Sequence, residues 1–192
     1  MKVKLIDDCI EYRGFFSLRR MTIEHELYGG RMSPAVVREV LERSDVAAAV
    51  LFDPKLDKVV MVEQFRAGAY AAAQPPWVID IVAGRIDGDQ SPEEAIVREI
   101  GEETGLKAIE LSFIGCYFTA PHLSSERVHL YCAQVDASEV TGTHGLAEEG
   151  ENIRPLVLER AKAIQLFQSH TVSLWAGLAL GWIAGHPSLI AP

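Results

Sequence analysis

The sequence predicts an α/β (α+β) layered domain built on a mixed β-sheet. Three observations carry that prediction. Short apolar, strand-like runs lie on both sides of a single sharply capped helix, two of those runs are joined as a hairpin, and two helical stretches close the chain. The 192 residues are 48% hydrophobic and 23% charged, ordinary values for one globular domain with a small appendage. That composition excludes a disordered chain, a collagen and a disulfide scaffold.

Residues 1–45 read as a partly separate, β-rich unit. Residues 15–27 alternate enough for a strand, and Tyr28-Gly29-Gly30 is a turn signal. Residues 34–43 fit strand or helix by period and are expected as a strand. Residues 46–52 and 58–65 are apolar runs separated by Asp53-Pro54-Lys55-Leu56-Asp57, a hairpin signal. Residues 67–76 are an Ala-rich loop, and 77–82 a short strand ending at Ala83-Gly84. Ser91 opens the clearest helix: Ser91 and Glu94 make a capping box, Pro92 takes the first helical position, and Gly105 closes the end. Strands follow at 111–118 and 127–135, then a polar acidic loop at 144–152, a strand at 154–158 and two helices. In the last helix Leu174, Leu178 and Ile183 are expected on the packed side. The uncharged stretch 171–185 falls short of the ~20 residues that span a bilayer. The charged N-terminus lacks a signal-peptide core, so a soluble, cytoplasmic protein with no membrane partner is expected. Cys9, Cys116 and Cys132 fit neither a disulfide framework nor a zinc site, and the last two are expected as buried thiols. The histidines His25, His122, His129, His144, His170 and His186 show no metal-ligand spacing and are expected in surface or loop-packing roles.

The net charge of −9 is unevenly placed. Residues 1–79 are neutral, residues 80–151 carry 15 acids against 4 bases, and residues 152–192 carry 1 acid against 3 bases. A nucleic-acid partner is excluded, since binding one needs a basic stripe. Two readings of the acidity remain: a solvated acidic face, or a carboxylate cage for hard cations.

The helix separates them. Glu99, Glu102 and Glu103 stand at i, i+3 and i+4 and share a face. Like charges so placed cost the helix a few tenths of a kcal/mol per pair, which a divalent cation with oxygen ligands would offset. Ile96 and Ile100 occupy the opposite face, where packing on the sheet would hold the carboxylates at one point.

From Gly84 to Leu106 the chain resembles the Nudix box: Gly, five residues, Glu, seven residues, then Arg-Glu-aliphatic-x-Glu-Glu-x-Gly-aliphatic. One position departs, because Gln90 stands where the motif has its first Glu. Other segments resemble the bacterial ADP-ribose-hydrolysing branch of that family. They are Tyr12-Arg13-Gly14-Phe15-Phe16, Val62-Glu63-Gln64-Phe65-Arg66, Pro121 with Ser124-Ser125-Glu126-Arg127, and His144-Gly145-Leu146-Ala147-Glu148-Glu149-Gly150-Glu151. The branch's Pro-Gly-Gly is Pro121-His122-Leu123 here.

The resemblance implies a Nudix fold, a mixed sheet between helices over residues 46–192, with residues 1–45 as a dimerising β-subdomain. It implies Mg²⁺-dependent hydrolysis of the diphosphate bond of ADP-ribose to AMP and ribose 5-phosphate. Two or three Mg²⁺, replaceable by Mn²⁺, would be held by Glu99, Glu103, Glu151 and the Ala83 carbonyl. Glu102 would stand close to the reaction, Glu149 would be the general base, and Glu126 is the second candidate base. Phe15 is either an adenine-stacking residue or a core phenylalanine. Arg66, Arg38, Gly84, Arg85 and Ser125 resemble substrate contacts, with Arg38 acting across a homodimer that exchanges N-terminal strands. Arg98 and Gln90 would brace the glutamate helix, with Gln90 hydrogen-bonded to Arg98 but without the charge pair of the motif Glu. Two alternatives stand beside this reading: hydrolysis of another nucleotide sugar such as GDP-mannose, and a nucleotide sensor that does not hydrolyse.

Overall fold

A computed structural model describes residues 1–166 and 172–186. The chain divides into two compact units. Met1–Asp45 with Phe118–Val128 form the first, and the remaining described residues form the second.

The first unit carries a three-stranded sheet of β1 (Val3–Arg13), β2 (Ser17–His25) and β3 (Val36–Glu42), in the order β1-β2-β3 with antiparallel pairing throughout. Strand β1 has no counterpart in the sequence reading. Its register shifts between Leu5 and Asp7 and between Ile10 and Tyr12, and such bulges break the period-2 alternation that marks a strand. Residues 34–43 do form a strand. Segment 118–128 is fastened to β3, with Leu41 N–H donating to Leu123 O at 2.8 Å and Ser124 Oγ donating to Leu41 O at 3.2 Å.

The second unit contains β4 (Val46–Asp53), β5 (Lys58–Phe65), α1 (Ala67–Ala71), β6 (Trp77–Asp80), β7 (Val82–Arg85), α2 (Pro92–Thr104), β8 (Glu110–Phe118), β9 (Arg127–Gln134), β10 (Arg154–Glu159), α3 (Arg160–Leu166) and α4 (Leu174–Gly185). The last residue of β8 and the first two of β9 belong to the first unit. The sheet order is β10-β5-β4-β9-β8, with β6 paired to β5 and β7 to β4. This is the α+β architecture the sequence predicts. Alanine-rich residues 67–76 are not all loop, because α1 makes one helical turn there, as alanine favours. The expected strand over 77–82 is two strands. Asp80 pairs with Val62 of β5 while Val82 pairs with Ala49 of β4, so the chain changes partners at Ile81.

Every residue of β4 is buried, so helices cover both its faces. Ala47, Ala49 and Leu51 pack with Val60, Val62 and Val82 against Ala95, Ile96 and Ile100 of α2. The alternate residues Ala48 and Val50 are equally buried outside that cluster, on the face toward α4, which also packs on β4.

Two burial expectations are corrected. Leu174 and Leu178 are 81% and 41% exposed, and the packed side of α4 is Ala176, Gly177, Ala179, Leu180 and Ile183. A helix apolar all round gives periodicity no face to choose. Cys132 is buried as expected, but Cys116 is exposed because β8 ends the sheet order and lacks a second neighbour there. His170 and part of the 171–185 stretch lie outside the described residues. Among the described residues no helix is long and apolar enough to cross a membrane.

Candidate active site

Helix α2 begins where its sequence says it should. Ser91 Oγ accepts from Glu94 N–H at 3.1 Å, Glu94 Oε2 accepts from Ser91 N–H at 2.8 Å, and Pro92 needs no donor partner. Gly105 ends it at φ 71°, its N–H donating to Gly101 O at 2.9 Å. With Ile96 and Ile100 fully buried, the glutamates are carried to a fixed place beside β7.

There Gly84 leaves room that a side chain would fill: a Cβ on it would collide with the Glu99 carboxylate. The Glu99 side chain is 13% exposed. Burial raises its pKa to about 7, against the pull of Arg98, and Glu102 and Glu151 push the same way as burial. Glu103 is 2% exposed and Oε2 has no hydrogen-bond partner. Its pKa lies well above the usual range, first through burial, then through Glu99 and Glu151, with Arg66 and the Ala83 backbone opposing. These shifts mean that ionising the two carboxyls costs free energy that nothing in the chain fully offsets.

Arg98 bridges two glutamates of this face. Its Nη1 donates to Glu102 Oε2 at 2.6 Å, and Nη2 lies 2.8 Å from Glu99 Oε1 and donates to Arg85 O at 3.2 Å. It therefore ties the glutamate helix to the end of β7. The expected bond from Gln90 to Arg98 is not formed, since Gln90 Oε1 is buried without a partner.

Glu151 arrives from a loop tied to the C-terminal end of α2. His144 and Ile153 exchange two backbone bonds at 2.8 and 2.9 Å, and Gly145 N–H donates to Glu102 O at 3.0 Å. The His144 ring packs where a Cβ on Gly105 would lie. Within the loop Glu151 Oε2 accepts from Leu146 N–H at 3.0 Å. A short turn over Ala147–Glu149, ended by Gly150 at φ 71°, leaves Glu148 and Glu149 exposed.

The other expected residues lie as follows. Arg66, in the same unit, donates from Nη2 to Asp80 Oδ2 at 3.2 Å. Arg85 donates from Nε to Asp87 Oδ1 at 2.9 Å. Phe15, Arg38, Ser125 and Glu126 belong to the first unit. Phe15 is 80% exposed and meets Phe16 edge-on at 4.8 Å, so it is not a core phenylalanine. Arg38 is exposed and donates to Val37 O at 2.8 Å. Ser125 Oγ accepts from Arg43 N–H at 3.1 Å. Glu126 is 3% exposed and paired with Arg43 at 2.9 Å. Asp80 escaped the sequence reading. Its signal was an acid inside the apolar run Trp77-Val78-Ile79-Asp80-Ile81-Val82, a place where a carboxylate must find partners.

Among the described residues, no three His, Cys, Asp or Glu side chains are grouped as they stand to hold a metal ion. The donor set nonetheless suits one. It is all carboxylate and carbonyl oxygen, and it contains the unpartnered Glu103 Oε2 and the mutually repelling Glu99, Glu103 and Glu151.

An α+β domain that seats a carboxylate-bearing helix against a glycine-containing strand is the class of structure the glutamate motif calls for. Residues 41–172 match the family described as NUDIX domain, and the chain belongs to the Nudix family. It is 39% identical to the ADP-ribose pyrophosphatase of Escherichia coli (strain K12) over 176 residues, 91% of this chain and 84% of that one. It is 35% identical to the ADP-ribose pyrophosphatase of Haemophilus influenzae over 166 residues, 85% and 76% of the two chains. The GDP-mannose pyrophosphatase of Cronobacter sakazakii is 30% identical over 182 residues, 88% and 94% of the two chains. A crystal structure of an ADP compounds hydrolase shares the fold, with a TM-score of 0.72, 20% identity and 97% of each chain covered.

Proposed function

We propose that this chain hydrolyses the diphosphate bond of ADP-ribose, giving AMP and ribose 5-phosphate, with Mg²⁺ as cofactor and Mn²⁺ able to replace it. The observation that carries the reading is the convergence of Glu99, Glu103 and Glu151, where burial first and mutual repulsion second raise the pKa values of Glu99 and Glu103. Relatives named ADP-ribose pyrophosphatase, at 35–39% identity over most of the chain, support the choice of substrate.

Glu99, Glu103, Glu151 and the Ala83 carbonyl would hold two or three Mg²⁺, with Glu102 and Arg98 beside them. Bound there, the ions supply the positive charge that lets an acidic site accept a diphosphate, and they acidify a water. The chain's own part is to fix the carboxylates through α2 and to take a proton. We assign that proton transfer to Glu149, whose exposed carboxylate lies two residues from Glu151, rather than to Glu126, which is buried against Arg43. Arg66, Arg85, Phe15, Arg38, Ser125 and the Gly84 backbone are each assigned to substrate.

A homodimer with exchanged N-terminal strands is part of the proposal. No residue of β1, β2 or β3 is buried, and Val3, Leu5, Ile6, Tyr12 and Phe15 are among its exposed apolar side chains. A small sheet with no core of its own needs a partner.

The test is turnover of a panel of nucleoside diphosphate compounds with Mg²⁺ titrated, and ADP-ribose is expected to be preferred. Relatives named GDP-mannose pyrophosphatase, at 30% identity, make that compound the comparison to include.

A further inference from the structure

Asp80 ends an otherwise apolar strand, and its side chain is 3% exposed. Four donors converge on it. Ser173 Oγ donates to Oδ1 at 2.5 Å, Trp175 Nε1 at 3.1 Å and Ile81 N–H at 2.9 Å, while Arg66 Nη2 donates to Oδ2 at 3.2 Å. They come from the first turn of α4, from the strand's own continuation and from the end of β5. Ser173 is also the N-cap of α4, its Oγ accepting from Ala176 N–H at 3.2 Å. One hydroxyl thus joins the start of α4 to the carboxylate.

A guanidinium carries more donors than Asp80 takes from Arg66, and the Arg66 side chain stays 36% exposed. Arg66 also interacts with Glu103. It therefore stands between a fully engaged carboxylate, which fixes it, and the glutamate cluster. Fixing matters because a long side chain otherwise spends free energy on being ordered when it binds an oxyanion.

We propose that Asp80 is a positioning residue: it holds Arg66 beside the glutamate cluster to meet the substrate's oxyanions, and α4 supports it through Ser173 and Trp175. This rests on the proposed reading of Arg66 as a substrate contact. The rival role is purely structural, with Asp80 anchoring α4 to the sheet.

A double-mutant cycle separates the two. D80N, R66A, the D80N/R66A pair and W175F are compared in steady-state kinetics and urea unfolding. The substrate is whichever nucleoside diphosphate compound the wild type turns over fastest. If it turns over none, calorimetric affinity for ADP-ribose replaces KM. D80N is expected to raise KM about 10-fold, a change of ~1.4 kcal/mol, with a smaller effect on kcat. It should add nothing to KM in the R66A background, and W175F should give a smaller rise of the same kind. An unchanged KM in D80N, or an equal rise in both backgrounds, overturns the proposal and leaves Asp80 as an anchor. If D80N does not fold, W175F runs the same cycle against R66A. An R66A variant with wild-type KM removes Arg66 from substrate, and the proposal with it. A wild type that ignores ADP-ribose but hydrolyses another such compound contradicts only the substrate assignment.

Discussion

Glu99 and Glu103 are the residues on which the physics turns. Both carboxyls hold protons more tightly in the folded chain than in the unfolded one, where a glutamate titrates near ~4.3. Between there and about 7, where Glu99 titrates, the folded form binds more protons, so stability without metal falls as pH rises through that window. For Glu99 alone the loss is on the order of 3 kcal/mol. Urea unfolding in chelator should show it as a decline from pH 5 to pH 8 that E99Q flattens. A wild type whose stability rises across that range would contradict the assignment. Glu149 poses a kinetic question instead. E149Q should fold normally and lose ~10²–10⁴-fold in turnover, the range of general-base catalysis. Near-wild-type turnover would remove Glu149 from the reaction.

Much of this was legible at the residue scale, because three glutamates at helical spacing share a face whatever surrounds them. Asp80 was not legible in the same way, since its partners Arg66, Ser173 and Trp175 are assembled only by the fold. Gln90 shows the opposite limit. Its position in the motif suggested a bond to Arg98, but Arg98 spends its donors on Glu102 and the Arg85 carbonyl.

At the scale of elements, α2 was read fully, with cap, start and stop, because those signals are local. The end of α2 does a second task. Gly105 has φ 71° and faces the His144 ring, so the residue that stops the helix also makes room for the loop bearing Glu149 and Glu151. G105A should therefore cost stability twice, through a strained backbone and a displaced ring. The expected loss is about 1–3 kcal/mol in urea unfolding, with activity reduced beyond what the unfolded fraction explains. H144A in the same background should recover part of that loss. The elements read less well fail for physical reasons. Strand β1 is bulged, α4 is apolar all round, and the strand at Ile81 changes partners, a long-range event that no local period records.

For the whole molecule, the uneven charge has a structural address. Part of the acidity of residues 80–151 is the cluster of Glu99 and Glu103 on α2 with Glu151 of the loop before β10, where it is costly, and part is solvated surface such as Asp89 and Glu148. The bare chain would repel a diphosphate, and a metal-loaded chain would attract one. The first unit makes its own prediction. With no buried residue in β1–β3, the protein should run as a dimer in light scattering, and charged substitutions at Val3 and Leu5 should weaken the dimer and the activity together. A fully active monomer would remove Arg38 from any role across the interface.

The most direct test of the central claim is product analysis of ADP-ribose by phosphorus NMR, with and without Mg²⁺. AMP and ribose 5-phosphate are expected in Mg²⁺, with no reaction in chelator. Faster release of GMP from GDP-mannose, or tight binding of ADP-ribose with no turnover at any Mg²⁺ concentration, would contradict that claim.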